Sequence, residues 1–452
     1  MRWTLVLLLG MSLRAQWAEA APPIRSGGEV VAYVLGGRLE LGGGEPLSLA
    51  ELSLRAAVYE PLYRFGDAGQ VEPVLASGPP IIEGQTVTIP LRRAVVLHDG
   101  RPLEPTMVAE VLAAELNRGL WFAEAVVAHP KDRAIVVTTS APFPGVDRAL
   151  ASPSLLLNFD RGPRRIGSGP FQVGTSPSGV WRLEAFLEHR DGRPYTDALS
   201  WRRLASRAGV VSLLRRGEAT VLFGASPKAS APAAPLEVLV LDAGARPLRG
   251  LDRAAHHDLL SGLLDRERSV DRFFGEGTQA TTRLDGVAEL RPPVAAPPIP
   301  PGAQLTLRVP KDAPVPLRFL ERLQLDLLRR GITVTLQRDD GPPGGLLLDW
   351  EPCWAGPDAD PIDRLSSLVA VSRRHGRELP FTKEALANFL SATKEEQRTM
   401  VERLEGELRR DAGLIPIAVR KSAVGIRGDL LGVDSSSQAA LHFADAHFLE
   451  SP

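Results

Sequence analysis

Between Leu320 and Leu336 the apolar residues change their period. Leu320, Leu323 and Leu327 lie three and four residues apart, on one stripe of a helix, and Gly331 follows where a helix can end in a left-handed turn. Ile332, Val334 and Leu336 then alternate, as a half-buried strand does. A helix that hands over to a strand at a glycine is an α/β unit and commits this part of the chain to helices layered on a sheet. The pattern recurs elsewhere. Gly28–Leu35 reads as a strand and Leu47–Tyr59 as a helix; Gln85–Leu91 is a strand with Val87, Ile89 and Leu91 on one face. Val108, Val111, Leu112 and Leu116 make a helical stripe, and Ala134–Thr139 and Leu236–Leu241 read as strands. Leu259, Leu260, Leu263 and Leu264 mark a buried helix. Thr393 with Glu396 predicts a capping box ahead of a long helix whose apolar face is Met400, Val401, Leu404 and Leu408. That helix ends near Gly413, and Leu414–Val419 follows as a strand interrupted by Pro416.

The chain has 452 residues, enough for two or three packed units. Two Pro/Ala-rich stretches, Ser226–Pro235 and Arg291–Gly302, interrupt the second half, and the latter must be extended and polyproline-like because proline lacks the donor a helix or central strand needs. Lysine and arginine total 53 and aspartate and glutamate 54. Nucleic acid is therefore not an expected partner, since its binders show a basic excess or patch. The single cysteine, Cys353, excludes an internal disulfide and any multi-cysteine metal site. Met1–Ala20 carries Arg2, a short apolar run and Ala18-Glu19-Ala20, the pattern of a cleaved secretory leader. No cysteine follows the run, so no lipid anchor is expected there. Catalytic patterns are not found: there is no G-x-S-x-G, H-E-x-x-H or P-loop. His256 and His257 are adjacent and, on a helix, point about 100° apart. His442 and His447, if on a strand, face opposite ways. No metal site and no cofactor is expected.

Several segments resemble, in order, the family 5 extracellular solute-binding proteins, the receptors of ABC importers for peptides, nickel chelates and related solutes. They are Val58–Phe65 (VYEPLYRF) followed by Gly69–Ala76, Leu97–Leu103 (LHDGRPL), Ile166–Phe171 (IGSGPF), His189–Tyr195 (HRDGRPY) and Leu213–Glu218. In the second half they are Ala254–Ala280, Leu414–Ile417 and Gly428–Val433. Together these span nearly the whole chain after the leader. The resemblance implies an α/β, two-lobed periplasmic-binding-protein fold (type II, enlarged peptide-binding cluster). Its first lobe is discontinuous, residues 21–237 with a returning segment 413–452, and its second lobe is 238–412. The crossings near Leu236–Leu241 and Leu414–Val419 would form the hinge.

The implied function is capture of a peptide-like or other small solute in the interlobe cleft, by a monomer in the periplasm that then docks an inner-membrane ABC importer permease. The resemblance implies no catalysis. Aromatic residues at the implied cleft are Tyr59, Trp121, Trp350 and Trp354. The region Asp349–Pro361 (DWEPCWAGPDADP) is similar to the family's tryptophan-then-aspartate pocket segment, with extra residues between Trp350 and Asp358. Asp358 or Asp360 would there meet a peptide's amino terminus; the other reading of these aspartates is turn formation and capping of the helix after them. Two rivals stand beside the receptor: a sensor or scaffold of the same descent that no longer serves transport, and a secreted hydrolase using Cys353 or the aspartate loop.

Overall fold

A computed structural model describes residues 24–35, 39–42, 48–66, 69–117, 121–175, 179–204, 210–224, 236–244, 247–274, 278–284, 298–310, 313, 315–338, 346–353, 355, 359–377, 379, 382–422, 424–434 and 440–449. Met1–Ala20, expected from the sequence to be a leader, the stretch Ser226–Pro235 and most of Arg291–Gly302 lie outside the described residues.

Two six-stranded sheets organise the chain. The first has the order Val424–Ile426, Val221–Phe223, Glu29–Leu35, Ala198–Leu204, Val180–Ala185, Phe171–Val173. Glu29–Leu35 runs parallel to both of its neighbours, and the other pairs are antiparallel. The second has the order Thr278–Ala280, Leu414–Lys421, Leu236–Asp242, Leu346–Cys353, Gln304–Val309, Thr333–Arg338. The chain thus leaves the first sheet after Phe223 and re-enters it at Val424. Leu236–Asp242 and Leu414–Lys421, read from sequence as hinge crossings, pair antiparallel inside the second sheet. The return to the first sheet therefore comes after Lys421 rather than at 413. A smaller antiparallel sheet, Ile81–Glu83, Thr86–Pro90, Ala134–Thr139 and Ala123–His129, belongs to the first half.

The local signals act as their chemistry requires. Helix Leu317–Arg329 is followed by Gly331 at φ +87° and strand Thr333–Arg338. The capping box of Thr393 and Glu396 opens helix Lys394–Ala412, and Gly413 closes it at φ 72°. Pro416 does not interrupt its strand. Leu414–Lys421 is continuous, and the register slips between Leu239 and Val240, which face Ala418 and Pro416. Such a bulge absorbs a proline that cannot donate to the ladder.

Helices cover both faces of the second sheet. Leu239, Leu241, Leu348 and Trp350 on one face pack with Leu259, Phe319, Leu320 and Leu323. Val238, Val240 and Val419 on the other join a core that continues through Ile362, Leu365 and Leu368 to Phe143, Leu150, Ile135 and Leu75 of the first half. One apolar core therefore runs between the halves, and helix Pro361–Arg374 lies in its middle. Of that helix's 14 residues, 12 are buried. Each fully buried leucine contributes about 1.5–3 kcal/mol.

Candidate ligand-binding site

The signature segments of the first half converge on one buried carboxylate. Glu60 is 7% exposed. Its Oε2 accepts hydrogen bonds from Ser168 Oγ at 2.9 Å and from Arg190, and His189 Nε2 lies 3.5 Å from Oε1. Burial alone would raise its pKa, but His189 and Arg190 together hold it below the usual carboxylate range. His98 adds a clamp: its Nδ1 accepts from the Gly167 N–H at 3.2 Å, and its Nε2 lies 3.0 Å from the Gly169 carbonyl. The glycines are there for close approach. A Cβ on Gly167 would stand 1.9 Å from the Val58 carbonyl oxygen, and one on Gly169 would stand 2.7 Å from that of Ala57. Segments VYEP, HDG, IGSGP and HRDG are thus a scaffold that locks the end of helix Leu49–Val58 against the first sheet.

The two halves meet along helix Pro361–Arg374. Asp360 caps its first turn, accepting from the Ile362 N–H at 3.0 Å. Arg148, on helix Val146–Leu150 of the first half, crosses to this helix: its Nε donates to Asp363 Oδ2 at 3.1 Å, with Oδ1 at 2.9 Å. Arg148 also donates to the Gly69 carbonyl and lies 5.2 Å from the Phe65 ring centre, so it is fixed from its own side. Burial pushes the Asp363 carboxyl up to about 7, against the pull of Arg148. At the far end Arg373 reaches Glu115 of helix Pro105–Asn117 at 3.6 Å. Beside Arg148 a pocket of about 480 Å³ opens between the halves. Phe143, Asp147 and Arg148 line it from the first half, and Asp360, Ile362, Leu390 and Lys394 from the second. Lys394 Nζ holds both Asp360 oxygens, at 3.0 and 2.9 Å. Gly145 is the closest pass: a Cβ there would stand 2.4 Å from Ile362 Cδ1.

The second half anchors the same helix by a buried ion network. Arg374 pairs with Glu351, while His375 lies 2.7 Å from Asp242 Oδ2 through Nδ1 and 3.4 Å from Glu351 Oε1 through Nε2. Burial would lower the His375 pKa, but Glu351 and Asp242 raise it to about 9. Burial would raise that of Glu351, and Arg374 with His375 pull it down to about 2.

The residues predicted from sequence are not gathered in one place. Trp121 is half-buried at the boundary, sharing a small cavity with Ser366, Val369 and Arg373 of the central helix. Asp360 is at the pocket, where it caps a helix and pairs with Lys394. Tyr59 is a core residue, 2% exposed, and its hydroxyl donates to Asp160 Oδ1 at 2.9 Å. Trp350 is not in a loop: it sits in strand Leu346–Cys353, 6% exposed, with Arg420 stacked 3.8 Å from its ring centre. Strand alternation turns its side chain onto the sheet face that packs with Phe274 and Phe319. Trp354 and Asp358 lie outside the described residues. Sequence reasoning missed Phe143, Arg148 and Lys394, and gave Asp363 no role of its own. No local signal marks them, because Arg148 and Asp363 stand 215 residues apart.

His256 and His257 are buried in helix Arg253–Leu263, and burial pushes both rings down. Burial likewise lowers His442 to about 4. Among the described residues no three His, Cys, Asp or Glu side chains converge as a metal site would require. No helix among them is long and apolar enough to cross a membrane. Cys353 is buried, with its Sγ 3.4 Å from the Ala355 carbonyl.

The fold is that of two-lobed substrate-binding proteins. The dipeptide binding protein from Pseudoalteromonas sp. SM9913 in complex with Met-Leu superposes at a TM-score of 0.74 and 12% identity, over 93% of this chain and 100% of its own. The periplasmic binding protein DppA from Helicobacter pylori, ABC transporter-associated and in complex with the peptide STSA, gives 0.72 and 14%, over 94% and 99%. NikA from Staphylococcus aureus in complex with Ni(L-His)2 gives 0.71 and 12%, over 93% and 99%. The architecture implied by the signature segments is therefore found over nearly the whole chain. No protein-family profile matches the sequence. No curated protein matches it either.

Proposed function

We propose that this chain is the solute-capturing component of an ABC importer, holding a peptide-like or other small solute between its halves without altering it. The observation that carries this reading is the pocket at Arg148 and Asp360. It is walled by both halves, apolar at Phe143, Ile362 and Leu390, and charged at Arg148, Lys394, Asp147 and Asp360. Apolar walls with a few orienting polar groups suit a small-molecule site, and domain interfaces are where such sites form. The structures that share the fold hold a dipeptide, a tetrapeptide and a nickel–histidine complex. In this reading the leader is removed on export and the protein works in the periplasm as a monomer that docks an inner-membrane permease. The first lobe is residues 21–237 with a segment that returns after Lys421, and the second is the chain between them.

Trp121 and Asp360, with Trp354 and Asp358 shortly before Asp360 in sequence, are the candidate contacts. Tyr59 and Trp350 are buried away from this pocket, in the cores of the first and second sheets. Native mass spectrometry of the protein released from a periplasmic extract identifies the solute, and calorimetry with that solute then tests the site. Trp354→Ala is expected to weaken binding by more than about 1 kcal/mol, the level of a contact that matters. A bare protein mass in the extract, with no heat from di- and tetrapeptides or nickel–histidine, argues for the sensor or scaffold alternative.

A further inference from the structure

We propose that helix Pro361–Arg374 is an electrostatic latch that holds the halves together before any solute arrives, with Arg148 and Glu115 as its first-half positioning residues. The inference rests on the two-lobed reading only in taking the halves to be movable. Three observations carry it. First, the helix belongs to the second half by its ion network, Arg374 to Glu351 and His375 to Asp242, yet it is packed between helix Lys394–Ala412 of the second half and helix Val146–Leu150 of the first, and nearly all of it is buried. Second, an ion pair to the first half stands at each end: Arg148 to Asp363 in the first turn and Glu115 to Arg373 in the last. Third, both pairs are shielded. Side-chain exposure is 24% and 5% in the first and 14% and 17% in the second. Charges that close a partly dry interface cost free energy when parted unless water reaches them, and a partner left buried and alone is the larger penalty.

Separation of the halves rehydrates the four side chains of these pairs and uncovers the apolar strip of Ile362, Leu365 and Val369. Association restores both. The geometry also ties the latch to the pocket, whose wall contains Arg148 from one half and Asp360 from the other, 3.9 Å apart. A solute that enters meets one latch residue and the residue capping the latch helix. The helix is thus the element whose position a solute can bias.

The test uses the full protein without solute, so it is independent of whether a ligand is ever found. Arg148→Met and Arg373→Met each remove one end. Each variant is expected to raise the radius of gyration in small-angle scattering. Each is also expected to speed amide exchange in 361–372 by about tenfold or more, the scale of unpairing a buried charge. Exchange in the strands of the two large sheets stays at the parent rate. Exchanging the second pair, Glu115→Arg together with Arg373→Glu, is expected to restore both readouts towards the parent, although Glu115→Arg alone opens the protein. Unchanged scattering and exchange in the single variants overturns the latch. So does faster exchange throughout the sheets, which is loss of stability rather than separation, or a swapped pair that stays as open as Glu115→Arg alone.

Discussion

Glu60 shows how one charge can give meaning to several short motifs. It is buried, and it meets Ser168 of one signature segment and His189 and Arg190 of another. Removing it leaves Arg190 with only the exposed Asp191 as counter-charge and His189 without its carboxylate neighbour. Glu60→Ala is therefore expected to cost about 3–5 kcal/mol in urea unfolding, the range for breaking a buried pair from one side. A loss below 1 kcal/mol would mean the cluster is no anchor. His375 makes the matching case in the second half. Its folded pKa of about 9 is raised above the ordinary 6.5, so its stabilisation is complete below pH 6.5 and is lost as pH rises through 9. The expected result is a stability that falls across that window in the parent protein and falls less in His375→Gln. Equal slopes in the two proteins would remove His375 from the account.

At the scale of elements, much was legible because the signals are local. The change of period at Gly331 and the Thr393–Glu396 box each act within four or five residues, and both are found as read. Thr393→Ala is expected to cost about 1 kcal/mol, the usual value of an N-cap. The check is the denaturation midpoint together with amide exchange in the first turn of Lys394–Ala412; no change in either would show that the box is idle. What local reading could not give is how the second sheet treats its own irregularities. Pro416 looked like an interruption but pairs with Val240, because Ile417 next to it bulges out of the register with Leu236–Asp242. Trp350 was expected at the cleft and is a strand residue facing inward, in a strand that continues through Pro352 to Cys353. Arg148 and Asp363 gave no sign of each other, since only the packed topology brings 148 beside 363.

For the whole molecule, the two-sheet architecture and its double passage follow from segments whose order could be read, while the dividing surface could not. That surface is a single helix, buried from both sides and flanked by a pocket to which each half contributes charge. The proposed solute sits there, between the halves, and leaves unchanged. Amide exchange with and without the solute identified from the periplasmic extract is the decisive experiment. Slower exchange is expected on both walls together, in 143–150 of the first half and in 361–372 of the second, with the solute recovered at its original mass. Protection confined to one half, or a recovered product of different mass, would contradict it.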